Sequence, residues 1–341
     1  MPSLAAAPPP ALLRYRDAVE SALREAVGEE PWPLVAAARY VLGWEDEQGL
    51  SANNTGKRIR PALCLLAAEV FGAHPEDALP GAVAVELVHN FSLVHDEVQD
   101  RDAERHGRPT LWARLGEAQA INVGDFLYTR AIRALARGTG DPGRRLAALN
   151  VLENAIGRMI RGQWDDISFE SRTDVTVEEY QAMVAGKTGA LLGAPMEMGA
   201  LLAGAAPADA AVLGRWGEQV GLAFQAQDDY LGTWGDSGET GKSTTNDIAR
   251  RKKSLPVVYG LAHPQARAVV ESVFSRAGEP GPDDVRRVIE ALDAANAGEA
   301  CREQAQRYAE QADALLSELP LRSDDRALLG SVAAYIADRR S

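Results

Sequence analysis

The 341-residue sequence is poor in cysteine, in long apolar runs and in positive charge. Its two cysteines, Cys64 and Cys301, stand far apart, which argues against a disulfide framework and fits a reducing, cytoplasmic setting. No stretch approaches 18 consecutive apolar residues, so we expect no membrane span. The Ala- and Pro-rich start lacks the features of a signal peptide, and we expect residues 1–13 to form a disordered tail.

Acidic residues outnumber basic ones by 49 to 36, for a formal net charge of −13. This balance argues against nucleic acid as the main partner. It leaves anionic ligands open, because a local basic cluster or a bound metal ion can override the net charge.

Apolar residues recur with a period near 3.6 along almost every long segment, and no convincing alternating strand is present. This pattern predicts an all-α fold. Clusters of Gly, Pro and Asp interrupt it at Gly138 to Gly143, Ala203 to Pro207, Gly235 to Gly241 and Ala277 to Asp283. Long helices joined by short loops are typical of a helical bundle, and we expect residues 14–341 to form one domain.

Acidic side chains interrupt the apolar pattern in the helix predicted from Gly81 to Arg101. Asp96 and Asp100 are four residues apart, so both carboxylates lie on one helix face. They would repel each other there unless a cation lay between them. The apolar run before them favours a metal site over a solvated acidic turn.

A second helix, predicted from Leu213 to Asp236, has an apolar face beside a face of small and polar residues. That second face carries Gln225 and Asp228, and Asp228-Asp229 forms a second acidic site. Close packing at Gly217 and Gly221 would explain the glycines but not the polar residues. A third apolar helical stripe continues into the polar residues Gln163 and Asp166. The alternative interpretation of these two residues is a helix end that reaches water.

Basic residues complete the pattern at Lys57, Arg60, Arg105, Lys187, Lys242 and Lys252. Any one of them alone is typical of a solvated surface charge. Two acidic sites together with several cations, however, predict a cavity that binds diphosphates through Mg²⁺.

Seven stretches resemble motifs of the trans-polyprenyl diphosphate synthase family, in the family's order and over about 200 residues. They are GKRIRP at 56–61, LVHNFSLVHDEVQD at 87–100, RHGRPTLW at 105–112, GQWDD at 162–166, GKTG at 186–189, AFQAQDDYLG at 223–232 and GKSTTNDI at 241–248. The resemblance implies a single helical bundle around a central cavity, the isoprenoid synthase type I fold, usually as a homodimer. It also implies an enzyme that condenses an allylic diphosphate (dimethylallyl, geranyl or farnesyl) with isopentenyl diphosphate.

The resemblance also implies a role for each matching residue. Lys57, Arg60 and His89 would hold isopentenyl diphosphate. Asp96 and Asp100 would hold two Mg²⁺ ions on the allylic diphosphate and Asp228 a third. The allylic diphosphate would be contacted by Arg105, Lys187, Lys242 and Lys252, and the reacting end would be lined by Thr188 and Gln225.

Three positions depart from the family pattern. Glu97 stands where the first motif usually has a second Asp. His106 stands where a second Arg usually helps to bind isopentenyl diphosphate. The second motif ends in Gly232 rather than Asp, and Asp236 is a candidate substitute.

Residues before the first acidic motif indicate the product length. In the family, bulky side chains there close the floor of the chain pocket. The positions eight, five and four before Asp96 are Val88, Phe91 and Ser92, a combination that resembles synthases stopping at C20. We therefore expect geranylgeranyl diphosphate as the main product; the alternative is that Phe91 only packs in the core.

Two other functions remain open at this point. A class I terpene cyclase or other diphosphate lyase would use the same metal chemistry without isopentenyl diphosphate, but Lys57, Arg60 and His89 would have no role in it. A non-catalytic partner subunit of another prenyltransferase would tend to lose the carboxylates that this chain keeps.

Overall fold

The computed structural model describes residues 9–235, 246–276 and 278–337, and it is mainly α-helical, as the periodicity predicts. The helices are α1 Pro10–Leu13, α2 Arg16–Val27, α3 Pro33–Val41, α4 Ile59–Val70, α5 Leu79–Gln99, α6 Leu111–Leu115, α7 Glu117–Arg137, α8 Pro142–Phe169, α9 Val177–Val184, α10 Ala190–Ala203, α11 Pro207–Trp234, α12 Asn246–Ala249, α13 Leu255–Ala262, α14 Pro264–Phe274, α15 Pro282–Ala294, α16 Ala297–Glu318 and α17 Ser323–Ala337. A 3₁₀ turn at Pro75–Ala78 precedes α5, and a π-helical turn at Ala185–Gly189 joins α9 to α10.

Two very short strands form the one hairpin of the described chain. Strand β1 is Glu104–Arg105 and strand β2 is Arg108–Pro109, paired antiparallel with Arg105 opposite Arg108. The sequence pattern did not predict this hairpin, because two residues per strand are too few to show alternation. It lies between α5 and α6 and presents the His106-Gly107 turn.

The contacts divide the chain into two compact units. One unit contains Pro10–Asn154 and Ala194–Gly214, and we call it the first-motif unit because it holds Asp96 and Asp100. The other includes Ala155–Gly193 and Arg215–Ser341, and we call it the second-motif unit because it holds Asp228. The expectation of one domain over 14–341 stays a prediction.

Two clusters of buried residues lie in the core of the second-motif unit. One joins α9, α11, α13 and α16 through Tyr180, Leu222, Val258 and Cys301. The other surrounds Ile248 of α12 and includes residues of α13, α14 and α15. The long helix α11 therefore has its second acidic motif close to buried packing on both sides.

The expectation of a disordered tail over 1–13 is wrong for its last part. Pro10–Leu13 forms helix α1, in which Ala11 and Leu12 are buried. The Pro- and Ala-rich composition hid this helix, because two apolar side chains suffice to anchor one turn against α4. Residues 1–8 lie outside the described part of the chain.

None of the helices described is both long enough and apolar enough to cross a membrane.

Candidate active site

Helix α5 carries the first acidic motif at its C-terminal end. The Asp100 N–H donates to the Asp96 carbonyl at 2.8 Å, so the helical spacing of these two residues is kept up to the last turn. Negative side chains at a helix C-terminus face the negative end of the helix dipole and are destabilised there. A cation bound between the two carboxylates would remove both this penalty and their mutual repulsion.

The end of α5 is fixed by a left-handed residue and an ion pair. Arg101 has φ +57°, and the Asp102 N–H donates back to the Glu97 carbonyl at 3.2 Å, which closes the helix as in a Schellman motif. Glu97 is buried, and its Oε1 lies 2.7 Å from Nε of Arg105. Burial raises the pKa of Glu97, while the charge of Arg105 opposes that rise. The unusual Glu at this position therefore contacts a predicted diphosphate-binding cation.

His89 is held neutral by its surroundings. Burial, together with the charges of Arg60, Arg105 and Arg58, holds its pKa well below the usual value. A neutral imidazole can donate one hydrogen bond to an anion while accepting another. Of these three arginines, Arg58 is paired with Glu20 and Glu86 and Arg105 with Glu97, so the candidate phosphate contacts here are His89, Arg60 and Arg105.

A buried arginine anchors the loop that carries Lys57 and Arg60. Arg58 has φ +49° and caps α4, and its guanidinium donates to Glu20 Oε1, Glu86 Oε1 and the Leu42 carbonyl at 2.7, 2.7 and 2.8 Å. With Arg58 turned inward, Lys57 before it is exposed and Arg60 stands in the first turn of α4. The sequence did not single out Arg58, because its charge gives no sign that it is buried.

His106 lies at the tip of the β1–β2 hairpin. It has φ +51°, Gly107 has φ +71°, and both are exposed. Two successive left-handed residues form the tight turn that suits a hairpin, and His tolerates this conformation better than most non-glycine residues.

Phe91 lies on the face of α5 that packs against α7. Its ring centroid is 4.9 Å from that of His95 and 5.6 Å from that of Tyr128 on α7. Gly124 makes this approach possible, because a Cβ there would lie 2.2 Å from Nε2 of His95. Ser92 is half-buried next to Phe91 and donates to the His89 carbonyl at 2.8 Å, and Val88 is fully buried.

In the second-motif unit, two glycines bring α8 against the π-helical turn. A Cβ at Gly162 would lie 2.4 Å from the Lys187 backbone nitrogen, and a Cβ at Gly186 would lie 2.6 Å from the Arg158 carbonyl oxygen. This approach places Lys187 Nζ 2.5 Å from Asp166 Oδ2. Asp166 of the third stripe therefore forms a contact with a cation. The alternative left open by the sequence was a helix end that reaches water.

A chain of hydrogen bonds runs from the π-helical turn to the second acidic motif. Thr188 Oγ1 donates to Gln225 Oε1 at 3.1 Å, and Gln225 Nε2 donates to Asp229 Oδ1 at 2.8 Å. Asp229 Oδ2 accepts from the Tyr180 hydroxyl and from the Leu255 N–H. Burial raises the pKa of Asp229, and these donors and Lys252 oppose the rise. Asp229 therefore ties α9, α11 and α13 together, which leaves Asp228 as the ligand candidate of the pair.

The adjacent lysines 252 and 253 have different surroundings. Burial alone would lower the pKa of Lys252, but the charges of Asp247, Asp229, Asp166 and Asp228 outweigh it, and the pKa is raised. Lys253 is buried and donates to the carbonyls of Glu170 and Arg251 at 3.1 and 3.2 Å. Lys252 is thus the one of the two that stands among carboxylates.

The carboxylates of the two acidic motifs are the kind of ligand that Mg²⁺ prefers. Within the described ranges, no three His, Cys, Asp or Glu side chains lie together in a way that could hold a metal ion. Mg²⁺ is usually held by one or two carboxylates, with waters and substrate phosphates completing its octahedron. Asp96, Asp100 and Asp228 fit that role.

Two of the predicted site residues lie in a part of the chain that the structure does not describe. Lys242 and Asp236 lie outside the described residues. The sequence analysis did not predict that Tyr180, Asp247 and Tyr128 lie at or next to the site. Asp247 could have been found as the acidic residue of the GKSTTNDI stretch, whereas nothing in the sequence marks the other two. For Gly221 the packing alternative holds, since a Cβ there would lie 3.2 Å from the Gly189 Cα.

The chain is similar to known proteins over most of its length. The family model described as polyprenyl synthetase matches residues 49–292. A (2E,6E)-farnesyl diphosphate synthase of Mycobacterium tuberculosis is 42% identical over 89% of this chain and 85% of its own length. A geranylgeranyl diphosphate synthase of the same organism is 40% identical over 89% of this chain and 87% of its own. The crystal structure of a polyprenyl synthetase from Streptomyces coelicolor A3(2) superposes with a TM-score of 0.88 at 38% identity, covering 96% of this chain and 98% of that one.

The chain belongs to the polyprenyl synthetase family. It is a prenyltransferase of isoprenoid biosynthesis with the all-α architecture of that family.

Proposed function

We propose that this chain is a Mg²⁺-dependent short-chain synthase that joins an allylic diphosphate to isopentenyl diphosphate, with geranylgeranyl diphosphate as its main product. The observation that carries the proposal is the pairing of basic with acidic site residues inside each unit: Arg105 with Glu97, and Lys187 with Asp166. The relatives at about 40% identity, which are named as synthases of this kind, support it.

In the first-motif unit, Lys57, Arg60 and His89 bind isopentenyl diphosphate. Arg60 and Lys57 supply charge, and the neutral imidazole of His89 donates a hydrogen bond to a phosphate oxygen. His106 replaces an arginine at this substrate and contributes less charge. Asp96 and Asp100 hold Mg²⁺ on the allylic diphosphate, and Arg105, oriented by Glu97, contacts that diphosphate.

In the second-motif unit, Asp228 would hold a further Mg²⁺, in addition to the two at Asp96 and Asp100. Lys187, Lys252 and Lys242 neutralise the diphosphate as it leaves, and Thr188 and Gln225 line the reacting end. When bound, Mg²⁺ supplies electrostatic stabilisation of the leaving group, which lowers the barrier to allylic ionisation. The double bond of isopentenyl diphosphate then attacks the allylic carbon, and the released diphosphate takes the final proton.

The proposal of a C20 product depends on the aromatic side chains between α5 and α7. Phe91 stands about one and a half turns before Asp96 on α5, a distance of roughly 7.5 Å along the helix, and Tyr128 of α7 packs against its ring. The small Ser92 beside them leaves room for the chain to pass. We propose that Phe91 stops elongation at C20. Relatives named for C15 and for C20 products are similarly close, so identity alone does not decide the length.

We also propose that the chain acts as a homodimer through α7. Ile121 and Tyr128 on this helix are 43% and 37% exposed, which is high for large apolar side chains. A groove of about 440 Å³ lies along the C-terminal half of the same helix, lined by Tyr128, Thr129, Ile132, Arg133 and Arg137. Light scattering of the purified chain should give twice its 36.5 kDa mass, and Ile121→Asp should shift it toward a monomer. A wild-type monomer at micromolar concentration would contradict the dimer.

One assay tests the proposed reaction. Purified protein, Mg²⁺ and farnesyl diphosphate are incubated with and without isopentenyl diphosphate, and the products are separated. We expect a longer prenyl diphosphate only when isopentenyl diphosphate is present. Hydrocarbons formed without it would indicate a cyclase, and no conversion would indicate a partner subunit.

A further inference from the structure

The segment between α3 and α4 folds back on itself, and we call residues 43–54 the arm. Its two sides run antiparallel, and the Ala52 N–H donates to the Trp44 carbonyl at 2.8 Å. Trp44 at the base of the arm is buried, and its Nε1 donates to Glu20 Oε2 of α2 at 2.6 Å. The arm is therefore anchored at the end from which the chain continues to Lys57.

Tyr40, near the end of α3, contacts the β1–β2 hairpin and the helix that follows it. Its side chain is buried, and its hydroxyl donates to the Pro109 carbonyl of β2 at 2.6 Å. Two guanidiniums lie over its ring, with Cζ of Arg108 4.2 Å and Cζ of Arg114 4.1 Å from the ring centroid. A cation at this distance is attracted to the face of an aromatic ring. The ring of Tyr40 therefore holds β2 and α6 against α3.

The same two arginines also bind the arm. Arg108 donates to the Glu45 carbonyl at 2.9 Å, and Arg114 donates to the Glu47 carbonyl at 2.8 Å. Each guanidinium thus lies between the ring of Tyr40 and a backbone carbonyl of the arm. Tyr40 is the common contact through which the hairpin, α6 and the arm are held together.

The two sides of the hairpin are held by different partners. On the β1 side, Nε of Arg105 lies 2.7 Å from Oε1 of Glu97 on α5. On the β2 side, the contacts described above lead to Tyr40. The turn with His106 lies between these two attachments. Loss of the Tyr40 contacts would therefore loosen the His106 turn and leave Arg105 attached to α5.

We propose that Tyr40 is a positioning residue for isopentenyl diphosphate, because it fixes the turn with His106 relative to the arm that leads to Lys57. This inference rests on the proposed function, in which both of these residues bind that substrate. Groups that are fixed before binding lose less freedom when the ligand arrives, so the affinity depends on the Tyr40 contacts although Tyr40 acts only through other residues. The allylic diphosphate depends instead on Mg²⁺ and on Arg105, which has its own attachment to Glu97.

Isothermal titration calorimetry with isopentenyl diphosphate tests this role without turnover, because no allylic substrate is present. Mg²⁺ is left out, which keeps the ligand from the metal-dependent allylic site. Tyr40→Leu removes the ring, whereas Tyr40→Phe keeps the ring and removes only the hydroxyl. Arg114→Met is a milder variant that removes one guanidinium and keeps an unbranched side chain. The control is Tyr15→Leu, which removes another buried tyrosine of the same unit, one whose hydroxyl donates to Glu69.

We expect Tyr40→Leu to raise the Kd of isopentenyl diphosphate by about tenfold and Arg114→Met by about threefold, since each removes part of the contact with the hairpin or the arm. Tyr40→Phe should stay within about threefold of the wild type, and Tyr15→Leu within about twofold. A second titration, with farnesyl diphosphate and Mg²⁺, should give a Kd within about twofold of the wild type for every variant, because Arg105 keeps its partner.

Three results would overturn the inference while the proposed function stands. Wild-type affinity for isopentenyl diphosphate in a folded Tyr40→Leu would leave Tyr40 as a packing residue only. Equal weakening in Tyr15→Leu, or equal weakening toward both diphosphates in Tyr40→Leu, would mean a general loss of stability. If Tyr40→Leu does not fold, unchanged affinity in Arg114→Met overturns the inference in its place. A wild-type protein that does not bind isopentenyl diphosphate would instead contradict the proposed function, and the inference with it.

Discussion

At the scale of single residues, the acidic side chains are placed where they weaken the fold. Asp96 and Asp100 oppose the dipole of α5, and Asp228 lies among other carboxylates in its unit. Such groups are explained by a ligand that brings positive charge.

We predict that Asp96→Ala and Asp228→Ala each lower turnover by at least about 100-fold. Mg²⁺ contributes several kcal/mol to a charged transition state, and each 1.4 kcal/mol is about tenfold in rate. Because neither residue belongs to the buried core, thermal unfolding should stay within a few degrees of the wild type. Steady-state kinetics and circular dichroism measure both, with Glu290→Ala as the control. Near-normal Mg²⁺-dependent rates in either variant would remove the metal assignment.

His106→Arg should lower the KM for isopentenyl diphosphate by roughly fivefold, since one charge-assisted hydrogen bond adds about 1 kcal/mol. The KM for the allylic substrate should not change. Ala103→Arg is the control, because it adds the same charge at another exposed position of this loop. An equal effect of both variants would mean that only the general field matters. Loss of activity in His106→Arg would mean that the imidazole has a role of its own.

The sequence was a better guide to which residues belong to the candidate site than to which residues contact one another. Asp96 and Asp100 could be placed on one face because helical spacing is local. The contacts Lys187–Asp166, Tyr180–Asp229 and Gly232–Asp247 join segments 15 to 49 residues apart, and no periodicity reports on them. Backbone carbonyls and carboxylates compensate the buried charges of Arg58 and Lys253. A single sequence does not show these partners, so the burial of the two residues could not be predicted.

At the scale of elements, glycines decide which helices approach each other. Gly162→Ala should lower the free energy of unfolding by about 1–3 kcal/mol, because the new methyl group meets backbone atoms of Lys187 and Met183 that cannot turn away. Gly157→Ala on the same helix meets nothing within 4 Å and should raise it by up to about 1 kcal/mol. Urea unfolding measures both. Equal effects of the two substitutions on the free energy of unfolding would contradict the close approach of α8 to the π-helical turn. Gly162→Ala should also slow turnover, because it displaces Lys187.

The packing of α5 against α7 leads to a prediction on product length. Ser92→Phe should shift the main product to C15 by adding a ring one residue nearer to Asp96. Phe91→Ala should lengthen it, to an extent limited by Tyr128, which stays beside the opened space. Chromatography of the dephosphorylated products measures the change, with Val98→Ala on the far side of Asp96 as the control. An unchanged distribution in both variants would leave Phe91 as a core residue only.

The sequence predicted helices well where the apolar stripe was long. The helix predicted from Gly81 to Arg101 is α5, Leu79–Gln99, and the break predicted from Ala203 to Pro207 falls between α10 and α11. The π-helical turn was missed because a five-residue widening disturbs a 3.6 period too briefly to be seen. Helix α1 was missed because composition suggested a tail.

At the scale of the whole molecule, a chain of net charge −13 is proposed to bind two diphosphates. Cations lie near His89 in one unit and at Lys187 and Lys252 in the other, but carboxylates pair with most of them. Bound Mg²⁺ therefore has to supply the remaining positive charge. Binding should therefore depend strongly on Mg²⁺, which offsets the negative charge that protein and substrates share.

The most direct measurement is a time course with geranyl diphosphate as primer, labelled isopentenyl diphosphate and Mg²⁺. We predict that labelled C15 diphosphate rises first and then falls as C20 accumulates, that one pyrophosphate is released for each isopentenyl unit added, and that chelation of Mg²⁺ stops every step. The absence of label from the products would contradict prenyl transfer, and C15 remaining as the final product would contradict the C20 assignment.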